Sequence, residues 1–476
     1  MTKAVVVGSG PNGLAAALTL AAAGVQVEVL EAADTLGGGT RSSEATLPGL
    51  VHDDCSGFHP LAVDTPFSRA FDLAGAGLEW RWPQVQYAHP LDSVGGAGRG
   101  AAAYRSVAQT AAELGSDGDA WRRIFGGLET RFGDISEDFL RPLLRVPSHP
   151  VQLARFGAYA ALPATVLAQR WRGEEGKALF GGVAAHALTP LTGLASSAIG
   201  VALGAAAHTY GWPVAQGGSE AITRAVVALA AERGVRFTTG VRVTSLAEVA
   251  HADFILLDLA PAAAADVAGD ALRPGVARAL RRYRHGPGVH KVEFAVAGGG
   301  VPWTYEPARR AGTVHVAGTF AEIAAAERAV NRGVMPDRPF VLVGQQSVAD
   351  PTRARGDVHP VYSYAHVPAG FTGDATAAIE AQIERFAPGF SERVLARSVR
   401  SAAAMATYNA NYVGGDVVTG ANTVGQLVMR PRPALDPYRL GEGLYLCSAA
   451  TPPGAGAHGM CGWNAAQSAL RALARQ

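Results

Sequence analysis

The sequence predicts an α/β fold built around a parallel β-sheet, and its opening residues carry that prediction. Residues 4–7 (AVVV) form a continuous apolar run, as expected of a strand that is buried on both faces. A glycine-rich segment follows at 8–13, and the alanine-rich stretch 14–23 predicts a helix. Residues 25–30 alternate between apolar and polar side chains, which predicts a second strand ending at Glu31. Together these segments predict a complete βαβ unit.

The glycine-rich segment has the spacing G-x-G-x-x-G. Gly8 permits the tight turn, Gly10 lets a phosphate approach the main chain, and Gly13 lets the helix pack closely on the strand. Pro11 and Asn12 complete the loop and open the helix. The free N–H groups and the positive end of the helix dipole favour an anion here, so the loop predicts a pyrophosphate site.

Glu31 stands 18 residues after Gly13, at the end of the second predicted strand. A carboxylate there can accept hydrogen bonds from ribose hydroxyls, and it would repel a 2′-phosphate. We include Ala32 beside it in the predicted contact surface. The unit therefore predicts a Rossmann-type domain that binds an ADP moiety, but it does not distinguish FAD from NAD.

Two further turns favour the longer dinucleotide, FAD. The loop GGGTRS at 37–42 exposes backbone and carries a fixed cation and two hydroxyls. Near the other end of the sequence, the strand-like run 444–447 leads through the glycine-rich turn 451–459 into a helical stretch, so a second helix N-terminus can stabilise negative charge on a reduced flavin. The predicted contacts from these two turns are Gly38, Gly39, Thr40 and Arg41 in the first, and Gly459 and Met460 in the second.

Composition excludes several classes of function. A net charge of +1 gives no basic surface for nucleic acid, and 48% hydrophobic with 17% charged residues excludes a disordered chain. Three cysteines without a C-x-x-C pair predict neither a disulfide framework nor a thiolate zinc site, and the 13 histidines lack metal-binding spacing, so no metal is predicted. The N-terminus shows no export signal, and we expect a cytoplasmic protein.

Seven segments carry a family resemblance. They are VVVGSGPNGLAAA, EAADTLGGGTRS, HDDCSGFHPLA, YGWPVAQGGSEAI, YRHGPGVHKVEFAV, NYVGGD and LYLCSAATPPGAGAHGMCGWNAA, and they span Val5 to Ala466. With these segments the chain resembles the phytoene-desaturase-like branch of the FAD-dependent amine-oxidase superfamily. Within that branch it is similar to a bacterial group related to the pyridine nucleotide-disulfide oxidoreductase domain 2 proteins.

The resemblance implies a discontinuous FAD-binding domain with an inserted α+β substrate domain, which holds a mixed sheet and helices. The implied segments are 1–75, 210–270 and 435–476 for the FAD domain, and 76–209 and 271–434 for the substrate domain. It also implies that Val243 meets the adenine through its main chain. Locally, 235–239 and 241–246 predict paired strands, and 100–210 predicts helices.

Two histidines are candidates for catalysis. In similar proteins the segment around His59 lies beside the flavin ring, where an imidazole could orient substrate or move a proton near neutral pH. The alternative is a turn histidine that is bonded to backbone. His458, in the turn before the last helix, could support the flavin or simply cap that helix.

Two predicted strands of the inserted domain hold the remaining candidates. Lys291 alternates with apolar residues, and amine-oxidase relatives place a lysine near the flavin, so a buried catalytic Lys291 is one interpretation. The alternation favours the other, a solvent-facing pair of Lys291 with Glu293. Tyr362, Tyr364 and His366 share one strand face and predict a wall of the substrate cavity.

These patterns together predict an FAD-dependent oxidoreductase that desaturates an apolar organic or isoprenoid-like small molecule by hydride transfer to flavin N5. A flavin amine oxidase, a flavin-dependent C=C isomerase and an FAD-binding protein with an interaction role remain alternatives. Arginines among the apolar residues of 100–210 are typical of a solvated helix face, and a peripheral membrane contact is the alternative. The oligomeric state stays open.

Overall fold

The computed structural model describes residues 2–475. The strands are β1 Lys3–Val7, β2 Gln26–Leu30, β3 Ser42–Ser43, β4 His52–Asp53, β5 Trp80–Arg81, β6 Val85–Val94, β7 Ala97–Ala103, β8 Val214–Ala215, β9 Arg236–Thr238, β10 Phe254–Leu257, β11 Gly288–Val296, β12 Ala311–Val316, β13 Val341–Gly344, β14 His359–Val367, β15 Val394–Arg400, β16 Arg439–Gly441 and β17 Leu444–Leu446. The α-helices are α1 Pro11–Ala22, α2 Pro66–Ala70, α3 Val107–Glu113, α4 Gly118–Glu129, α5 Phe132–Phe139, α6 Pro150–Ala160, α7 Ala164–Leu167, α8 Glu174–Ala184, α9 Ala198–Thr209, α10 Glu220–Ala231, α11 Pro261–Ala268, α12 Pro274–Arg281, α13 Phe320–Asn331, α14 Gln346–Ala349, α15 Thr376–Phe386, α16 Phe390–Arg393, α17 Ala402–Tyr408, α18 Val424–Met429 and α19 Met460–Leu473.

The first sheet has six strands in the order β16-β17-β10-β1-β2-β9. Its adjacent pairs are parallel except β16 with β17. The valines of β1 alternate between two cores: Val6 packs with residues of α1, α10 and α19, while Val5 and Val7 pack with residues of α11 and α12. Helices therefore cover both faces, which confirms the parallel α/β sheet predicted from residues 4–7.

The second sheet has seven strands in the order β15-β11-β14-β13-β12-β6-β7. Strand β12 pairs parallel with β6, and the other adjacent pairs are antiparallel. One face packs on Ile379, Ile383 and Phe386 of α15, and the other meets a core that draws on α3 to α9. A mixed sheet with helices is thus confirmed, while the division of the chain into the five predicted domain segments stays a prediction.

The structure corrects two local predictions. Residues 241–246 do not form a strand, because Glu248 accepts hydrogen bonds from the backbone N–H groups of Thr244 and Ser245 and caps a short 3-10 helix there. Residues 100–103, at the start of the stretch predicted as helical, belong to β7, because they pair antiparallel with β6 at the sheet edge. Within residues 2–475, no helix combines the length and apolar composition needed to cross a membrane.

Candidate active site

A cavity of about 660 Å³ joins the two sheets. It begins at Gly10 and Asn12, beyond the carboxyl end of β1, and passes the turn that holds His458. It then reaches Phe156 on α6 and Tyr364 on β14. Ligands of open parallel sheets bind beyond the carboxyl ends of the strands, so the cavity lies where the fold places a dinucleotide.

The glycine-rich loop is crowded as the sequence predicts. Gly8 has a φ of +98°, a conformation that favours glycine, and its N–H donates to the Leu30 carbonyl at 2.8 Å. A side chain at Gly10 would collide with the carboxylate of Asp258, and one at Gly13 would collide with the Gly8 carbonyl. Pro11 has no N–H and the Gly13 N–H donates to Asp258, so the N–H groups of Gly10 and Asn12 at the start of α1 remain for a ligand anion.

Asp258 is a site residue that the sequence analysis missed. It follows β10, and its buried carboxylate accepts a hydrogen bond from the Gly13 N–H at 3.0 Å. Burial and, to a smaller extent, the charge of Glu31 raise the pKa of Asp258 to about 7 despite that bond. The available signal was a carboxyl group at the end of the apolar run 252–260, where a parallel strand delivers its last residue to the site.

Glu31 lies at the end of β2, but in this structure it holds the neighbouring loop. Its carboxylate accepts hydrogen bonds from the backbone and hydroxyl of Ser9 at 2.9 and 2.6 Å and from the Ala33 N–H at 2.8 Å. Ala32 is exposed beside it, and Val243 is buried among residues of α11 and α12. Glu31, Ala32 and Val243 all lie outside the cavity lining. The predicted ribose and adenine contacts of these three residues stay predictions.

The loop at 38–41 abuts the glycine-rich loop. A side chain on Gly38, which has a φ of +53°, would meet the Gly10 Cα at 2.9 Å. Gly39 and Thr40 line the cavity, and the Thr40 hydroxyl donates to the Gly37 carbonyl at 2.8 Å. Arg41 lies outside the cavity lining and donates to the carbonyls of Thr35 and Leu36, and its predicted cofactor contact stays a prediction.

The segment that follows β17 places Ser448 and His458 in the wall of the cavity. His458 Nδ1 accepts a hydrogen bond from the Met460 N–H at 3.1 Å, so this ring caps the start of α19 and lines the cavity at once. Burial lowers the pKa of His458 to about 4 and keeps the imidazole neutral. Gly459, with a φ of +70°, lies against Phe67 without room for a side chain.

Several buried polar atoms of the cavity wall fit a polar ligand. The Asn12 side-chain oxygen and the hydroxyls of Thr419 and Ser448 have no hydrogen-bond partner among residues 2–475. Unpaired buried polar atoms are rare, since each costs about 1–3 kcal/mol. Together with the free N–H groups at Gly10, they make this part of the cavity suited to a dinucleotide with many polar groups.

Lys291 is buried, which overturns the favoured solvent-facing interpretation. Its strand, β11, lies inside the sheet, between β14 and β15. The alternation of apolar and polar residues in the sequence does not show whether other parts of the chain cover the polar face of a strand. The ammonium contacts the Glu293 carboxylate, donates to the Asp53 carbonyl at 3.1 Å and lies 4.0 Å from the centre of the Tyr362 ring. Burial lowers the pKa of Lys291 to about 7.

A buried ion network fixes the segment beside Lys291. Arg353 is fully buried and donates to the carboxylates of Asp53 and Asp350 at 2.6 and 3.1 Å. Burial alone would raise the pKa of Asp53, but Arg353 and the Ser219 N–H hold it below its usual value. The sequence analysis missed this network, because its members lie far apart in the chain.

His59 does not line the cavity. Its Nε2 is hydrogen-bonded to the Ser219 hydroxyl at 2.9 Å, and its Nδ1 faces Ser56 at 3.5 Å. Burial lowers the pKa of His59 to about 4. The ring is thus engaged with the chain behind the cavity wall, and its predicted contact with substrate stays a prediction.

The three side chains on the predicted face of β14 lie in two different places, the cavity wall and the protein core. Tyr362 and Tyr364 line the cavity as predicted, and the Tyr362 hydroxyl donates to the Cys55 carbonyl at 2.6 Å. His366 does not line the cavity, and its predicted substrate contact stays a prediction. Glu327 of α13 covers this end of the strand and is hydrogen-bonded to His366 Nδ1 at 2.7 Å.

Comparison with known proteins agrees with this architecture. Residues 6–72 match the sequence family described as an NAD(P)-binding Rossmann-like domain. A stretch of 93 residues is 39% identical to pyridine nucleotide-disulfide oxidoreductase domain-containing protein 2 from Mus musculus, and it covers 19% of this chain and 16% of that protein. The similarity to that protein group, which the sequence predicted, is thereby confirmed.

Solved structures match over nearly the full length. An oxidoreductase from Methanosarcina mazei superposes with a TM-score of 0.62 at 15% identity, covering 99% of this chain and 100% of the other. Putrescine oxidase bound to putrescine gives 0.61 at 15% identity, covering 100% and 99%. The chain therefore has an amine-oxidase-like α/β fold that contains a Rossmann-like dinucleotide-binding domain.

Proposed function

We propose that the protein is an FAD-dependent oxidoreductase that desaturates an apolar small molecule. The observation that carries the proposal is a single cavity that begins at the N-terminus of α1 and continues into an apolar chamber lined by Leu153, Phe156 and Leu203. A dinucleotide held at the first end would extend its reactive ring towards the second. Bound FAD would supply a two-electron acceptor next to the substrate.

The cofactor fits what the chain offers. The N–H groups at Gly10 would hold the pyrophosphate, and the neutral His458 with the unpaired Ser448 hydroxyl would face the distal part of the cofactor. Gly39 and Thr40 line the same cavity. When bound, FAD would supply the two-electron acceptor for the hydride that desaturation removes, the accompanying proton would pass to cavity water, and an external acceptor would take up the electrons.

The chain's own contribution would be placement and charge control. Apolar side chains exclude water from the chamber, and Lys291 lies behind Tyr362 with an amine that can change protonation near pH 7. An amine oxidase is the second candidate, since the fold is shared with putrescine oxidase. The Tyr362 and Tyr364 rings meet edge to face at 78°, so these two rings do not form the parallel walls that would enclose an amine.

The test begins with the absorption spectrum of the purified protein, which should show bound flavin. Anaerobic titration with polyenes, ketones and cyclic amines should then bleach the flavin, and product mass should show the loss of two hydrogens. An unchanged product mass would indicate an isomerase, a deaminated product an amine oxidase, and no bleaching with any compound an interaction role. Gly10→Val should abolish flavin retention, whereas Gly127→Val, at an exposed site on α4, should not.

A further inference from the structure

The chamber is apolar except at the end that meets the second sheet, which we call the sheet end. The sheet end consists of His186, Trp212, Thr313, Leu342, Tyr362 and Tyr364. Along the sheet, Tyr364 pairs with Leu342 of β13, and Leu342 pairs with His315 of β12. His186, just after α8, completes the row, because its Nε2 lies 2.8 Å from Nε2 of His315.

Polar atoms at the sheet end lack protein partners. The Thr313 hydroxyl is fully buried and makes no hydrogen bond within residues 2–475. Over the same residues, the His186 ring bonds only through Nε2, which leaves its Nδ1 without a protein partner on the cavity wall, and the Tyr364 hydroxyl makes no protein hydrogen bond either. Three polar groups without a protein partner at one end of an apolar chamber indicate that a ligand forms hydrogen bonds with them.

The buried partner decides which proton His186 presents. His315 Nδ1 has no partner and faces Gly182, where no group can accept a hydrogen bond from it. A buried N–H without an acceptor is rarer than a buried lone pair without a donor, so we assign the His315 proton to Nε2. His315 then donates to His186, and a neutral His186 must carry its own proton on Nδ1.

Both rings stay neutral in this arrangement. Burial lowers the pKa of His186 to about 3 and that of His315 well below its usual value, and the neighbouring imidazoles lower both further: His366 acts on His186, and His186 is among those that act on His315. The six side chains of the sheet end carry no formal charge. Lys291 and Glu293, on the neighbouring strand beside Tyr364 and Tyr362, are paired with each other, and Glu327 is hydrogen-bonded to His366 behind Tyr364. The charged groups near this end are thus already paired within the protein, and the neutral donor of His186 suits an uncharged acceptor better than a carboxylate.

We propose that the sheet end binds a neutral carbonyl oxygen of the substrate through the Nδ1–H of His186, with the hydroxyls of Thr313 and Tyr364 beside it. The substrate class is then an apolar ketone or aldehyde rather than a pure hydrocarbon or an amine. This inference rests on the proposed function for its substrate, but its test does not depend on flavin chemistry.

The test compares three ligands of similar size by calorimetry on the purified protein: acetophenone, ethylbenzene and benzoate. One hydrogen bond to a carbonyl is worth about 1 kcal/mol, so acetophenone should bind roughly five- to tenfold more tightly than ethylbenzene. His186→Phe should remove that preference and leave ethylbenzene binding unchanged. His251→Phe, at an exposed histidine, serves as the matched control and should keep it.

Tyr364→Phe provides a second variant that keeps the ring and removes one hydroxyl, and it should weaken acetophenone binding alone. Equal affinities for acetophenone and ethylbenzene in the wild type would overturn the proposal, as would tightest binding of benzoate or an unchanged preference in both variants. A colourless protein would refute the proposed flavin function, yet the calorimetric comparison would still decide the carbonyl site.

Discussion

Asp258 offers a sharp test of the electrostatics at the glycine-rich loop. A carboxyl group whose pKa rises from 3.8 to about 7 on folding destabilises the folded state by up to ~4 kcal/mol once the pH exceeds both values. The destabilisation is absent below pH 3.8, grows as pH rises towards 7, and is constant above 7. Asp258→Asn removes the charge but keeps a side-chain oxygen that can accept the hydrogen bond from the Gly13 N–H.

We therefore expect Asp258→Asn to be more stable than the wild type at pH 8 by about 1–4 kcal/mol, because relaxation recovers part of the full value. Thermal unfolding of the flavin-free protein across pH 4 to 8 would measure the difference, which should shrink towards zero at the acid end. Asp270→Asn, at an exposed carboxylate, should show no such trend. The buried-charge argument would be refuted if Asp258→Asn were less stable than the wild type at pH 8. It would also be refuted if the difference in stability between the two proteins did not change with pH.

Three further predictions concern residues near the cavity. Lys291→Met should abolish the change in flavin-reduction rate near pH 7, because it removes the amine whose pKa burial lowers to that value; a pH profile unchanged from the wild type would exclude Lys291. His59→Ala should lower the unfolding temperature, since the buried Ser219 hydroxyl loses a partner, but should leave flavin reduction unchanged; a slowed reduction would return His59 to the mechanism. Arg353→Met should destabilise the protein by about 3–5 kcal/mol in chemical denaturation because it leaves buried carboxylates uncompensated, and a loss below 1 kcal/mol would contradict that role.

Sequence patterns predicted those parts of the fold that depend on interactions between neighbouring residues. The buried strand at residues 4–7, the glycine turn at 8–13 and the helix after it each follow from neighbouring residues, and the structure has all three. The alternation in β11 correctly placed Lys291 and Glu293 on the face opposite Val292. It could not show whether the polar face is solvated, because that depends on which other segments cover the strand.

The remaining site residues depend on contacts between distant parts of the chain. His186 and His315 are 129 positions apart and meet only because α8 packs on β12. Asp258 acts on Gly13 from 245 residues away. His59 and His366 were predicted at the cavity from position along the chain, but Ser219 and Glu327 hold them elsewhere. Such pairings have no signal in periodicity or spacing, although the polar Thr313 and His315 alternating with valines in β12 hinted at a polar face.

The crystal structure of the purified protein would test the central claim most directly. We predict that FAD lies in the cavity, with its pyrophosphate at Gly10 and its ring between His458 and Tyr362. Electron density for a nicotinamide nucleotide alone, or for a flavin bound away from the N-terminus of α1, would contradict it.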